Sequence, residues 1–280
     1  MTRNLNFARS FGQICLTGFA AVYAFPLYLI VSLALKTEAE GARAPFALPS
    51  SLFSGNFARA WQTSATSGNA SLAPAFGNSI LITAVGVVLL VVTGALGGYV
   101  LARRKSRLAD WLFVLFLIGL TVPQQLGIVP LFQLARGLGL VGSAGGMILI
   151  YAGLLAPLTI FLYTTFIRAL PTDYEEAALM DGASRLRVFW DVVMPLVRPV
   201  TATVVVIQGI HIWNDFFTPV IFLLGSGQQT LPVAIFSLVG EYATAWGPIF
   251  AGVVIASAPA MAVFVFLQRH VARGFSGGIK

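Results

Sequence analysis

The chain has 280 residues, 58% of them hydrophobic and only 10% charged, whereas a soluble globular protein carries roughly 25% charge. A mean hydropathy of +0.87, with 28 Gly and 22 Phe, leaves more apolar surface than one water-soluble core of this size can hide, so the solvent is a bilayer. The formal charge of +7 does not mark a nucleic-acid binder, because the basic residues are scattered between apolar runs.

A spanning helix needs about 20 mostly apolar residues, and six such runs predict six spans near 11–35, 76–102, 111–132, 144–167, 200–224 and 246–267. The first resembles a secretory signal at its basic start, yet its apolar run exceeds the roughly 7–15 residues of a signal core and is read as a retained anchor. The loop 36–75 follows, rich in Ser, Ala and Pro, with a short capped helix expected over Asn56–Trp61. Trp111 and Trp246 open later runs, where an indole favours the membrane interface. Gly94-xxx-Gly98 and Gly142-xxx-Gly146 allow close helix approach. Pro26, Pro123, Pro130, Pro157, Pro219 and Pro259 interrupt the spans, each removing a backbone hydrogen bond that a neighbour must replace. The segment 225–245 has no Lys or Arg and reads as a loop.

With both termini placed in the cytoplasm, the 17 basic residues divide 13 inside to 4 outside, the latter being Lys36, Arg43, Arg59 and Arg136. That bias fixes the expected orientation, in a single transmembrane domain over 1–280 with a long cytoplasmic loop at 168–199.

Several chemistries are missing. None of the three lysines follows a glycine, so the chain carries no phosphate-cradling Gly-Lys-Ser/Thr loop. No hydrolase or metalloprotease motif occurs, and no enzyme constellation is expected. Cys15 is the one cysteine, and His211 and His270 are too far apart for a helical pair, so no metal site is expected. Asp215 is the one acidic residue inside a predicted span. With Asn214 it either lines a translocation path or holds the bundle by an interhelical hydrogen bond; Gln124 and Gln125, beside Pro123, are further candidates for the path. A stand-alone carrier or channel that uses Asp215 is the alternative function on this evidence.

The loop LPTDYEEAALMDGASRLRVFWDVVMPLVRP, residues 170–199, specifies two short helices and a bend. Thr172 and Glu175 have the spacing of a capping box, Gly182 suits a left-handed helix stop, and Ser184 starts a second helix that Pro195 and Pro199 end or bend. The product is either a docking element for a partner or an interfacial connector.

These residues resemble the EAA loop of ABC-importer permeases: Glu176-Ala177-Ala178, Asp181-Gly182-Ala183-Ser184, and Val192-x-Met194-Pro195. Asn78-Ser79, Leu101-Ala102-Arg103, Pro123, Trp213-Asn214-Asp215-Phe216 and Pro259 are similar to the carbohydrate branch, and the match is strongest to the second permease subunit of maltose-type importers. The resemblance implies an all-α membrane protein of the type I ABC-importer permease fold in a bacterial-type inner membrane. It implies as partners a homologous permease, two ATPase subunits and an extracytoplasmic sugar-binding protein, with ATP and Mg held by the ATPases and no cofactor by this chain. Glu176, Ala177, Ala178, Asp181, Gly182, Ala183, Ser184 and Pro195 would then form the coupling element. The glycine-rich tail 274–280 resembles the family's ending, which can reach between the ATPases.

Overall fold

The computed structural model describes residues 2–62, 72–223, 225–241 and 246–276, and no strand occurs among them. Among the described residues, three helices are each long and apolar enough to cross a membrane: Gly12–Ala34, Leu72–Arg103 and Ala144–Arg168. Two bent pairs, Arg107–Thr121 with Gln124–Gly137 and Arg185–Leu196 with Arg198–Asn214, raise the number to five. Near the C-terminus a shorter apolar stretch, Trp246–Ala262, opens the last helix. The chain divides into two compact units, Met1–Ala73 with Leu231–Lys280, and Pro74–Thr230.

In the first unit, α1 (Thr2–Ala34) presents apolar residues to its surroundings all round, among them Ile14, Leu16, Phe19, Val22 and Tyr23. In water such a helix would aggregate; in a bilayer it is solvated. The following segment is ordered as α2 (Glu38–Arg43) and α3 (Gly55–Gln62), which contains the expected helix at 56–61. Lys36, placed outside by the sequence reading, is buried, with 1% of its surface exposed. Its ammonium donates to the carbonyls of Ala44, Pro45 and Ala47 at 2.8, 3.1 and 2.6 Å, which matches its three donors with three acceptors. Asn56, also buried, donates to the carbonyls of Ala34 and Lys36 at 3.0 and 2.7 Å and fastens α3 to the end of α1.

The expected loop 225–245 is largely a helix: α13 spans Leu231–Glu241. Leu231, Ala234 and Leu238 recur on one face and are buried, while Pro232 falls in the first turn, where its missing N–H costs nothing. The last helix, α14 (Trp246–Ser276), packs on α1, α3 and α13. Residues 277–280 of the glycine-rich tail lie outside the described residues.

In the second unit, α4 (Leu72–Arg103) crosses α7 (Ala144–Arg168) at very short range. A Cβ on Gly98 would stand 2.5 Å from the Tyr163 Cβ and 3.0 Å from the Thr164 backbone nitrogen, so only glycine permits this crossing. Gly142 and Gly146 do something else: Gly142 precedes α7 with φ +82 and donates to the Phe222 carbonyl at 2.8 Å, while Gly146 lies against the Leu140 backbone. That pair shapes a turn and makes no helix crossing.

The third predicted span is broken. Helix α5 (Arg107–Thr121) stops at Val122, whose φ −79 and ψ 122 are extended, as a residue before proline prefers. After a 3-10 turn at Gln124–Gly127, α6 (Ile128–Gly137) leaves at 99° to the first half. Pro123 has no N–H to continue the helix, which explains the site of the break. The fifth predicted span is likewise two helices, α11 (Arg198–Asn214) and α12 (Phe217–Leu223). Polar bonds bind α11 to α7: Tyr163 donates to the Thr201 hydroxyl at 2.9 Å, and buried Gln208 donates to the Thr159 hydroxyl at 3.0 Å. In hydrocarbon these groups would otherwise be unsatisfied.

Candidate functional site

The loop after α7 forms α8 (Asp173–Met180), a glycine stop, and α9 (Arg185–Val188). Gly182 has φ +85. Its N–H donates to the Leu179 carbonyl and that of Ala183 to the Ala178 carbonyl, both at 3.0 Å, which is the Schellman pair of bonds. Ser184 then caps α9 by accepting from the Arg187 N–H at 3.3 Å. Helix, bend and second helix are therefore set by the Gly182 backbone and the Ser184 hydroxyl, where the sequence locates them.

The start of α8 differs from expectation. Thr172 adopts helical angles, φ −78 and ψ −17, and makes no side-chain cap; its carbonyl takes the N–H groups of Glu175 and Glu176 at 2.9 and 3.0 Å. Glu175 does not turn back on a capping box, because its carboxylate faces the end of α4. Arg103 Nε and Nη2 each reach Glu175 Oε1 at 2.8 Å, Tyr99 donates to Oε2 at 2.9 Å, and Arg103 also donates to the Leu170 carbonyl at 3.1 Å. The side chains of Arg103 and Glu175 are 17% and 10% exposed, so the pair is poorly screened by water and fixes the loop to α4.

The second half of the loop enters the core. A π-helical turn covers Phe189–Val193, followed by α10 (Met194–Leu196), and the Met194 N–H bonds five residues back, to the Phe189 carbonyl. Pro195 has no N–H for the carbonyl of Asp191 and its ring crowds it, which accounts for the widened turn. Phe189, Val193 and Val197 are buried with Ala95, Tyr163, Ile167, Val200 and Val204, and the Phe189 ring lies 5.3 Å from Tyr99. Residues 185–196 then meet α11 at 74°. Packed side chains thus join this segment to α4, α7 and α11.

What the loop leaves uncovered differs in character. Glu176, Ala177, Asp181, Gly182, Ser184 and Pro195 are exposed, and Ala178 and Ala183 are half-buried. Around them stand Tyr174, Leu179, Leu186 and Trp190, all exposed, and Met180 with 88% of its surface free. So many exposed large apolar side chains gathered over 174–190 mark a contact surface.

The intramembrane candidates share no hydrogen bond among those seen in the described residues. Gln124 and Gln125 are exposed on the 3-10 turn at the break of the third span, and Asn214 is exposed at the end of α11, its amide donating to the Ile210 carbonyl at 3.0 Å. Asp215 sits in the gap between α11 and α12. One oxygen accepts from the Tyr151 hydroxyl at 2.9 Å and the other from the Thr218 N–H at 3.3 Å, so it caps α12 and ties it to α7. Of the two readings left by the sequence, the interhelical bond is the one with visible partners. Sequence reasoning passed over Tyr151, Tyr99 and the Arg103–Glu175 pair, whose members lie 72 residues apart. Among the described residues, no group of three or more His, Cys, Asp or Glu could hold a metal ion.

The family model described as "Binding-protein-dependent transport system inner membrane component" matches residues 94–277. The melibiose/raffinose/stachyose import permease protein MelC of Bacillus subtilis is 33% identical over 260 residues, 92% of each chain. The diacetylchitobiose uptake system permease protein NgcG of Streptomyces coelicolor is 31% identical over 92% of this chain and 84% of its own. A chain in the crystal structure of a bacterial ABC transporter involved in the import of the acidic polysaccharide alginate superposes with a TM-score of 0.82, at 22% identity, covering 94% of this chain and 96% of that one.

Proposed function

The chain belongs to the family of binding-protein-dependent transport system inner membrane components, and from that premise we propose that it is a permease subunit of an ATP-driven sugar importer. The sugar class rests on relatives named for oligosaccharide uptake, such as those for melibiose and diacetylchitobiose. The protein crosses a bacterial-type inner membrane six times with both termini in the cytoplasm, as the distribution of Lys and Arg indicates. It pairs with a second permease to enclose the path, receives sugar from an extracytoplasmic binding protein, and is driven by two cytoplasmic ATPases that hold ATP and Mg.

One observation carries the coupling role: the 172–195 segment is rigidly fastened on its inner face by Glu175 and Phe189 and offers Met180, Leu186 and Trp190 on its outer face. A rigid docked element converts closure of an ATPase dimer into rocking of α4, α7 and α11. Co-purification of the tagged chain in mild detergent is expected to recover a second permease and an ATPase. Recovery of the chain alone would remove the power source and refute the reading.

The rival, a carrier coupled to an ion through Asp215, makes a separable prediction. Asp215→Asn keeps an oxygen for Thr218 or Tyr151 but cannot titrate, and is expected to retain at least about half of wild-type uptake. Asp215→Ala loses both bonds, about 1–2 kcal/mol for the cap and a similar amount for the stranded hydroxyl, and is expected to lower the yield of folded protein. Uptake abolished by Asp215→Asn with normal yield would favour the rival.

A further inference from the structure

The turn between α4 and α5 gathers cations, three of which, Arg104, Lys105 and Arg107, play no part in the contacts described above. A cleft of about 460 Å³ is lined there by Arg104, Lys105, Ser106, Arg107, Asp110 and Arg168. Arg104, Lys105 and Arg107 are exposed, and among the described residues none has a carboxylate partner. Arg168 is held in place: its guanidinium stacks 4.4 Å from the centre of the Phe113 ring, donates to the Leu101 carbonyl at 3.4 Å, and lies 3.8 Å from Asp110. Four cations thus face one carboxylate.

The cleft borders an apolar surface. Leu108, Trp111, Leu112 and Leu115, on the first three turns of α5, are 65, 72, 39 and 59% exposed and form one apolar face of a predicted span, with an indole at its mouth. A free phosphate would meet only the cations. An amphiphile with an acidic head would satisfy the cations and the apolar face together, and the cytoplasmic leaflet supplies such molecules.

We propose that this cleft binds the headgroup phosphate of an anionic phospholipid, whose acyl chains lie along the first turns of α5. Arg104, Lys105 and Arg107 contact the phosphate, Arg168 provides a fixed positive floor, and Trp111 sits at the level of the glycerol. The bound lipid holds the α4–α5 turn at the membrane surface, next to the Arg103–Glu175 clasp that carries the coupling segment.

The test is native mass spectrometry of the full chain in its assembly, purified in a neutral detergent and titrated with phosphatidylglycerol or phosphatidylcholine of matched chains. Wild type is expected to retain phosphatidylglycerol at about tenfold lower concentration than phosphatidylcholine, as a few surface cations allow. Arg104→Gln/Lys105→Gln/Arg107→Gln is expected to erase that preference, and Arg107→Gln alone to reduce it about threefold on the same scale. Arg43→Gln/Arg136→Gln, which removes exposed cations elsewhere, is expected to keep it. Equal retention of the two lipids, or a wild-type preference in the triple variant, overturns the proposal. So does displacement by millimolar inorganic phosphate, which would make the site one for the free anion. Binding by the isolated chain that is lost in the assembly would assign the cleft to a protein partner and equally overturn it.

Discussion

Gly182→Val is expected to reduce uptake to less than about a tenth while leaving the amount of chain in the membrane unchanged. The residue has φ +85, and a Cβ there would meet no atom within 4 Å, so the expected defect is backbone strain. An L-residue in this region costs roughly 1–2 kcal/mol, and a β-branched one more. The cheapest relief is for Gly182 to leave the left-handed region, which breaks the 3.0 Å bonds to Leu179 and Ala178 and alters the angle between α8 and α9. The spans make their own contacts and are untouched. Gly182→Asn, which tolerates the geometry, is expected to keep much of the activity. Gly182→Asp keeps more of the backbone than Val but adds charge beside Asp181 on the exposed face, and is expected to block transport by spoiling the fit. Full uptake by Gly182→Val, measured in vesicles with the chain quantified by immunoblot, would show that the bend is dispensable.

The second large effect belongs to the clasp beneath the loop. Glu175→Ala strands Arg103, whose side chain is 17% exposed, and removing one member of a poorly solvated pair costs about 3–5 kcal/mol. Tyr99 loses its acceptor as well. Thermal unfolding in detergent is expected to show lower stability for Glu175→Ala and for Arg103→Ala alike, with uptake lost in both. The double variant Arg103→Met/Glu175→Leu, which replaces charge by packing, is expected to regain much of the stability. Single variants as stable as wild type would mean that the pair contributes nothing to anchoring the segment.

Element existence was largely legible in the sequence because length and hydropathy dictate it: the runs at 76–102 and 144–167 are α4 and α7 with ends displaced by a few residues at most. The breaks at Pro123 and at Asp215 were signalled by residue type, but their consequence was not, since a 99° turn between α5 and α6 depends on what the second half packs against. The helix at 231–241 was missed because the lack of charge in 225–245 suggested a loop, whereas burial of Leu231, Ala234 and Leu238 stabilises it. Within 172–195, the bends at Gly182 and Ser184 rest on bonds between residues three to five positions apart, and local spacing reveals them. Glu175 shows the limit of such reasoning. Its spacing from Thr172 fits a capping box, yet a cation at the far end of another helix binds it instead, and no local pattern records that competition.

Met180, the most exposed large residue on the outer face of 172–195 at 88%, reports directly on whether that face seats in an ATP-hydrolysing partner. Since Cys15 is the one native cysteine, Met180→Cys in a Cys15→Ser background can carry a single short photocrosslinker in the native membrane. The coupling role requires one major crosslinked product, containing the cytoplasmic ATPase, with a yield that changes when ATP is added. Products that contain only lipid, or only further copies of this chain, would contradict it.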